Sequence, residues 1–217
     1  MDDVYVSTTG SDTTGDGTPG NPYQTITKGI TEVNPDGVVH IAAGTYNEAI
    51  TIAKNLDLLG ENKDTTIIDA TGLGSRVITI NLYTVNIKNL TIQNGLVTDT
   101  TVSGGGIYNY QGLLTVTDCI IQNNNATATG TSAIAFGGGI YNDQGLLNII
   151  NSTIQNNNAT ANETYGIAEA HGGGIYNDGT LTITNSTIQN NTATATGNNT
   201  NARGGGIYNY GPLTITN

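Results

Sequence analysis

The stretch "GGGIYN" occurs four times in this chain, at Gly104–Asn109, Gly137–Asn142, Gly172–Asn177 and Gly204–Asn209. The interval from one copy to the next is 33, then 35, then 32 residues. A second phrase follows each of the first three copies: "LLTVTDCIIQNNNAT" from Leu113, "LLNIINSTIQNNNAT" from Leu146 and "LTITNSTIQNNTAT" from Leu181. A nearly fixed period of this size is typical of a repeat architecture.

Each repeat alternates apolar and polar residues with a period of two, which is the pattern of short β-strands. In "LTIT", for example, Leu181 and Ile183 alternate with threonines. One repeat predicts three strands, around 175–176, 181–184 and 187–189. Strands of successive repeats would stack about 4.8 Å apart. The sequence therefore predicts an all-β fold, a right-handed parallel β-helix with three short strands per coil.

Stacked coils place equivalent residues above one another, so the pattern predicts ladders of like side chains. Isoleucines and leucines would stack inward at Ile107, Ile140, Ile175 and Ile207 and at Leu114, Leu147, Leu181 and Leu213. Asparagines would form two hydrogen-bonded ladders, at Asn109, Asn142, Asn177 and Asn209 and at Asn123, Asn156 and Asn190. Tyrosines would form an outward aromatic strip for a sugar ligand, at Tyr108, Tyr141, Tyr176 and Tyr208.

Composition limits the function classes. The chain has 217 residues, a net charge of −11 and only six Lys+Arg, which argues against a nucleic-acid partner. No apolar run approaches the about 18 residues of a membrane span. The single cysteine, Cys119, aligns with Ser152 and Ser186 of later repeats, so we expect a buried, inert thiol.

The chain divides into three parts of one predicted domain, 1–217. Residues 1–36 hold a strand, a loop and a capping helix at about 23–33, with Asn21 as the N-cap and Pro22 in the first turn. Residues 37–100 form irregular first coils, and 101–217 form the GGGIYN repeats, which break off partway through a coil. The segments 126–136, 159–171 and 193–203 are expected to be exposed loops that set binding specificity.

Two parts of the sequence resemble known families. The segment from "VYVSTTGSDTTGDG" to "ITIAKNLDLLGE" resembles the entry segment of the pectin-lyase-like superfamily of right-handed parallel β-helices. The "GGGIYN…LTITNSTIQNNTA" coils resemble repeats of polymorphic outer membrane proteins and of adhesin-like surface proteins of methanogenic archaea. These resemblances imply the fold, but in the superfamily the same scaffold serves lyases, hydrolases, esterases and non-catalytic adhesins.

Carboxylates are the candidate metal ligands. "DTTGDG" places Asp12 and Asp16 at two ligand positions of a calcium loop, although the twelfth position holds Tyr23 rather than glutamate. Asp143 and Asp178 both follow "YN" and would lie one strand spacing apart, where a bound cation would relieve their repulsion.

The same corner supplies the weak candidates for catalysis, Asp143, Asp178, His171 and Arg203; His171 and Arg203 each immediately precede a glycine run.

The sequence favours a non-enzymatic, extracellular adhesin-like domain that contacts glycans or other cells, with no cofactor unless Ca²⁺ binds. The repeats are more uniform than a catalytic face normally is. One alternative is a calcium-dependent polysaccharide lyase or hydrolase, and another is a purely structural spacer. We expect a monomer, with end-to-end stacking through an open edge as a risk.

Overall fold

The computed structural model describes residues 1–217 and is a parallel β-solenoid of about seven turns. Three sheets run the length of the coil. The first sheet stacks eight strands: Asp3–Val6, Gly37–Ile41, Leu56–Gly60, Thr84–Lys88, Leu113–Thr117, Leu146–Ile150, Thr180–Thr184 and Leu213–Thr216.

The other two main sheets stack six strands each. The second sheet contains Gly44–Tyr46, Thr66–Asp69, Thr91–Gln93, Ile120–Gln122, Thr153–Gln155 and Thr187–Gln189. The third sheet contains Ile50–Ile52, Ile78–Asn81, Ile107–Tyr110, Ile140–Asp143, Ile175–Asn177 and Ile207–Asn209. All neighbouring strands are parallel and in register, so the predicted three strands per coil are confirmed.

Inward-facing aliphatic side chains form the core, as predicted from the alternation. Ile107 pairs with Ile140 and Ile140 with Ile175, and all three are fully buried. The leucine ladder from Leu114 to Leu181 is buried in the same way. In the last described coil Ile207 is partly exposed and Leu213 is exposed.

The three glycines of each "GGGIYN" have different structural roles. The first adopts a positive φ of 62° to 68°, which a side chain would strain. The second and third lie against neighbouring backbone and amide groups: a Cβ on Gly106 would sit 2.5 Å from the Gly139 carbonyl and 2.9 Å from the Asn124 side-chain nitrogen. Glycine is therefore required both by the turn and by the close approach of adjacent coils.

A buried amide ladder follows the third sheet. The side-chain nitrogen of Asn109 donates to Asn142 at 2.7 Å, Asn142 donates to Asn177 at 2.6 Å, and Asn177 donates to Asn209 at 2.7 Å. Each amide nitrogen also donates to a carbonyl of the following turn, Gly145 for Asn142. This ladder is the predicted one, although its members are not left-handed; the turn residues Gln111 and Gln144 are.

The second predicted amide ladder lies one residue further along the chain. Asn123, Asn156 and Asn190 take the left-handed turn conformation, with φ of 57°, 56° and 53°. The turn directs the following asparagines inward, so that Asn124 donates to Asn157 and Asn157 to Asn191, each at 3.0 Å.

The segments expected to be exposed loops are strands instead. They form a fourth, arm sheet, which contains Leu96–Asp99, Thr101–Ser103, Asn125–Phe136, Asn158–His171, Thr192–Thr196 and Asn199–Arg203. Alternate alanines such as Ala126 and Ala135 point inward and build a separate small core. The alternation of alanine with threonine has a period of two, but alanine has little strand propensity, which hid the signal.

Each arm runs out from the coil and back to the point at which it left. A Cβ on Gly105 would lie 2.5 Å from the Gly138 carbonyl oxygen and 2.6 Å from the Asn125 carbonyl oxygen, so the two ends of the Asn125–Phe136 arm are neighbours. Register between arms is kept except around Gly130 and Ser132. The arms therefore project from one corner and pair with one another as a separate sheet.

A short helix, Ile26–Glu32, lies at the N-terminal end, inside the predicted span. Its N-cap is Thr25, whose hydroxyl accepts from the Lys28 N–H at 3.1 Å; the expectation of Asn21 as cap and Pro22 in the first turn is wrong. Gly29 permits close packing, because a Cβ there would lie 2.6 Å from Val6.

Cys119 is fully buried and forms no disulfide, and it occupies the position equivalent to Ser152 of the next repeat, as the sequence predicted. The Cys119 N–H donates to the Ser152 hydroxyl at 3.1 Å. Burial raises the pKa of the Cys119 thiol to about 12, so the thiol stays protonated and unreactive near neutral pH.

Replacing Asn142 by alanine should destabilise the solenoid. The substitution leaves one of the two Asn109 amide hydrogens without its acceptor and the Gly145 carbonyl without its side-chain donor. Each buried unsatisfied group costs about 1–3 kcal/mol. The free energy of unfolding in guanidinium chloride should fall by that order. Asn209→Ala, in the exposed last member of the ladder, is the matched control and should cost far less; equal losses would contradict the account.

Candidate functional site

The four tyrosines of the repeats stack along one corner of the solenoid. Ring centroids are 5.4 Å apart from Tyr108 to Tyr141, 5.0 Å from Tyr141 to Tyr176 and 5.3 Å from Tyr176 to Tyr208. Interplanar angles of 14° to 30° make these stacked pairs. The ring faces are therefore turned toward each other along the solenoid axis, and the outward surface consists of ring edges and hydroxyls.

Two side chains at the ends of the arms cover this ladder. Phe136 contacts the rings of Tyr141 and Tyr176, at 6.1 and 4.7 Å, and His171 stacks on Tyr208 at 4.6 Å. Tyr176 is only 8% exposed as a result. We call the four tyrosines with Phe136 and His171 the aromatic corner. Its tyrosines stabilise the stack, and their role in ligand binding stays a prediction, limited to their edges and hydroxyls.

His171 is the most unusual group of the aromatic corner. It is 6% exposed, and its Nε2 is buried without a hydrogen-bond partner. Burial lowers the pKa of His171 below its usual value of 6.5, Glu169 opposes this shift, and Arg203 adds to it. His171 is therefore a neutral base at pH 7, and its Nε2 is unpartnered beneath the stacked rings, so a ligand would reach it only if the neighbouring rings moved.

Asp143 lies on the outward side of the corner, half-buried, and its Oδ2 accepts from the Tyr108 hydroxyl at 3.0 Å. Asp178 follows the neighbouring strand and is exposed. Burial, then the hydrogen bond to Asp143, raise the pKa of Tyr108 to about 12. The two aspartates thus follow equivalent asparagines on neighbouring strands, and cation binding by them stays a prediction.

Both arginines of the chain lie at this corner, at opposite ends of the tyrosine ladder. The Arg76 guanidinium sits 4.7 Å from the centroid of the Tyr108 ring, and Arg203 is the strand partner of His171. The ion pairs of the structure are Lys28–Glu32 and His40–Asp3, so neither arginine is paired with a carboxylate. Sequence reasoning found Arg203 but missed Arg76, which precedes the regular repeats.

No three acidic, histidine or cysteine side chains are grouped closely enough to hold a metal ion by themselves. Asp12 accepts from the N–H groups of Gln24 and Thr25 and from the Thr25 hydroxyl. Asp16 accepts from the N–H and hydroxyl of Thr18. These carboxylates hold the N-terminal loop in shape, and calcium binding by them stays a prediction.

Several solved enzyme structures share this fold. They include a pectin methylesterase from Erwinia chrysanthemi (16% identity, 84% of this chain and 64% of that one, TM-score 0.45) and one from carrot (13%, 98% and 71%, 0.48). A rhamnogalacturonan lyase is similar too (15%, 94% and 62%, 0.46). No family model matches the chain, and no curated protein matches it significantly.

These likenesses concern the fold. The strand topology of this chain confirms the parallel β-helix that the resemblance to the pectin-lyase-like superfamily implied, while the adhesin-like resemblance stays a prediction. The chain spans 64% of the length of the Erwinia enzyme, less than two thirds. At such identities the fold assigns no activity to this chain.

The expectation that the chain is not an enzyme is contradicted by this comparison. The solved structures to which the chain is similar include pectin methylesterases and a rhamnogalacturonan lyase, which are enzymes, and one pectin methylesterase was solved with a hexasaccharide bound. The uniformity of the repeats, on which that expectation rested, does not exclude chemistry at one corner. Separately, no helix of the structure is long and apolar enough to cross a membrane.

His171 should make stability depend on pH. Its pKa is lowered in the folded chain, so the unfolded chain binds the proton more readily and stability is lost as pH falls below 6.5 toward the folded-state pKa. His171→Phe, which copies Phe136 of the preceding coil, should remove this component of the free energy of unfolding. Denaturant unfolding between about pH 5 and 8 measures it. His40→Gln is the control and should retain it, and a dependence unchanged in His171→Phe would contradict the assignment.

Proposed function

We propose that this chain is an extracellular, polysaccharide-active β-helix that binds an acidic sugar chain along the aromatic corner. One observation carries the proposal: in a chain of net charge −11, both arginines and the buried, unpartnered His171 nitrogen lie on the same corner. Because neither guanidinium is paired with a carboxylate of the protein, each can bind a carboxylate of a ligand. Guanidinium groups bind carboxylates in bidentate geometry.

The spacing of these groups suits a linear polymer. Tyr108 and Tyr208 are separated by three strand spacings, about 14 Å, so Arg76 and Arg203 could contact acid groups on different sugar units. Between them the tyrosine edges present a row of hydroxyls that remain protonated, since burial raises the pKa of Tyr108 and Tyr176 to about 12. Hydroxyls both donate to and accept from sugar hydroxyls.

The reaction class that fits these groups is elimination from a sugar acid. Once the ring stacked on it, Tyr208, moves aside, neutral His171 would take the proton from the carbon beside the sugar carboxylate, whose charge Arg203 on the neighbouring strand would compensate. The C–H electron pair becomes a carbon–carbon double bond. The glycosidic oxygen leaves with its bonding pair and is protonated by water. A hydrolase would instead need an acid placed to protonate that oxygen, and Asp143 already accepts from Tyr108.

Substituting both arginines should abolish binding of an acidic polysaccharide. Arg76→Gln with Arg203→Gln removes two cationic contacts, and we expect the dissociation constant for polygalacturonate to rise at least about tenfold, in a salt-dependent way. Lys63→Gln, which removes one positive charge away from the aromatic corner, is the control and should leave the dissociation constant nearly unchanged. His171→Gln should retain binding while losing unsaturated product, which absorbs ultraviolet light.

The outcomes separate the two parts of the proposal. Binding that both arginine substitutions leave unchanged would overturn the site. Binding without unsaturated product in the native chain would overturn the elimination and leave a glycan-binding domain. If the native chain neither binds a polysaccharide nor forms unsaturated product under any condition, a structural spacer would be favoured.

Calcium should strengthen this binding through Asp143 and Asp178. Two carboxylates provide oxygen ligands that calcium prefers, but they are too few for its usual six to eight, so sugar carboxylates and water would complete the shell. Asp143→Asn with Asp178→Asn should abolish the effect of calcium and chelator on the dissociation constant. If calcium has no effect and the double substitution strengthens binding, the aspartates only repel the ligand and the calcium bridge is wrong.

A further inference from the structure

The largest cavity of the molecule lies away from the aromatic corner, on the outer face of the first sheet. It is a groove of about 710 Å³ under the N-terminal loop. Its floor is formed by Tyr5, His40 and Leu59, which are register partners on three successive strands, and Pro19 and Pro22 stand at its side. Such a volume is within the range of about 300–1,000 Å³ of ligand sites. We call it the first-sheet groove.

The floor of the first-sheet groove is ordered by specific contacts. The rings of Tyr5 and His40 are stacked, with centroids 4.5 Å apart and planes within 10°. The His40 Nε2 is 2.7 Å from the Asp3 Oδ1, which fixes the ring and leaves Nδ1 without a protein partner. The surface is therefore preformed, with apolar ring and leucine surfaces beside an open hydrogen-bonding nitrogen.

The charges of the groove disfavour an anion. Glu61 is the acidic group of its lining, against His40; Asp3 contacts His40 from outside, and Asp57 and Lys88 line an adjacent depression on the same sheet. The acids already accept hydrogen bonds within the fold: Asp3 contacts His40, Asp57 accepts from Asn86 at 2.6 Å and Glu61 from the Ala43 N–H at 3.0 Å. With these acids partly compensated, what the groove offers a ligand is apolar surface together with neutral donors and acceptors.

The groove continues along the solenoid axis. A smaller depression of about 360 Å³ shares His40 and Leu59 with it and extends over Lys88 to Thr117. Tyr5 and Thr117 belong to one row of register partners, four strand spacings apart, or about 19 Å. Two depressions along one such row suit a linear polymer better than a compact molecule.

We infer that the first-sheet groove is a second binding site, which takes a neutral sugar chain. Sugar rings present apolar C–H faces and hydroxyls on the same unit, which matches a surface of Tyr5, Leu59 and prolines interspersed with His40 and Glu61. The site is on a different sheet from the aromatic corner, and it does not rest on the proposed function. The chain would then contact two kinds of glycan, an acidic one at the corner and a neutral one here.

Binding of neutral oligosaccharides tests this inference directly. Soluble fragments of glucan, xylan and mannan would be titrated into the whole chain by calorimetry and by NMR. Tyr5→Ala and Leu59→Ala should each raise the dissociation constant of the bound fragment about tenfold. Ile150→Ala is the matched control, because Ile150 lies further along the same row, outside the groove, and also points outward.

Further variants make the outcomes decisive. Arg76→Gln with Arg203→Gln should leave neutral binding unchanged, so failure of the corner site and failure of this one are distinguishable. Circular dichroism checks that Tyr5→Ala is folded, and Leu59→Ala, an outward substitution, supplies the test if it is not. Absence of binding to every neutral fragment would overturn the inference. So would binding of a basic peptide instead, lost in Glu61→Gln, which would make the groove a site for cations.

Discussion

The whole structure depends on the register between neighbouring coils. Each strand is parallel to an equivalent strand about 4.8 Å away, so any residue meets its counterpart from the next repeat. A slip by one residue would turn Ile140 outward and bring Tyr141 into the core. The buried amides of Asn109, Asn142 and Asn177 resist such a slip, because each finds its acceptor only in one register. Core, amide ladders and aromatic corner are consequences of that single alignment.

This dependence explains how much of the fold could be predicted. Alternation and a 32- to 35-residue period were enough to place the strands of Ile175–Asn177 and Thr180–Thr184, because their side chains meet copies of themselves. The amide ladder at Asn124 was missed by one residue, since only backbone geometry decides which of two adjacent asparagines makes the left-handed turn. The arms were missed because alanine has little strand propensity. Its alternation indicates a strand only when the alanines are buried, as they are in the small core of the arm sheet.

The candidate site was harder to predict, because it combines residues that do not repeat. Asp143, Asp178, His171 and Arg203 were found by comparing equivalent positions of the regular coils. Arg76 stands before the first "GGGIYN", so no alignment of repeats could place it beside Tyr108. The stacking of the tyrosine faces also follows only from the coil spacing, and it changes the expected ligand surface from ring faces to ring edges.

The amide ladder has a direction: every side-chain nitrogen points to the following coil and every oxygen toward the preceding one. At its beginning the Asn109 oxygen has no donor, because the preceding coil has Ile80 at that position. An internal coil therefore receives one hydrogen bond and gives one. Duplication or loss of such a coil during evolution would leave the number of satisfied amides per coil unchanged, so the array can lengthen or shorten without losing a hydrogen bond of the ladder at the joint.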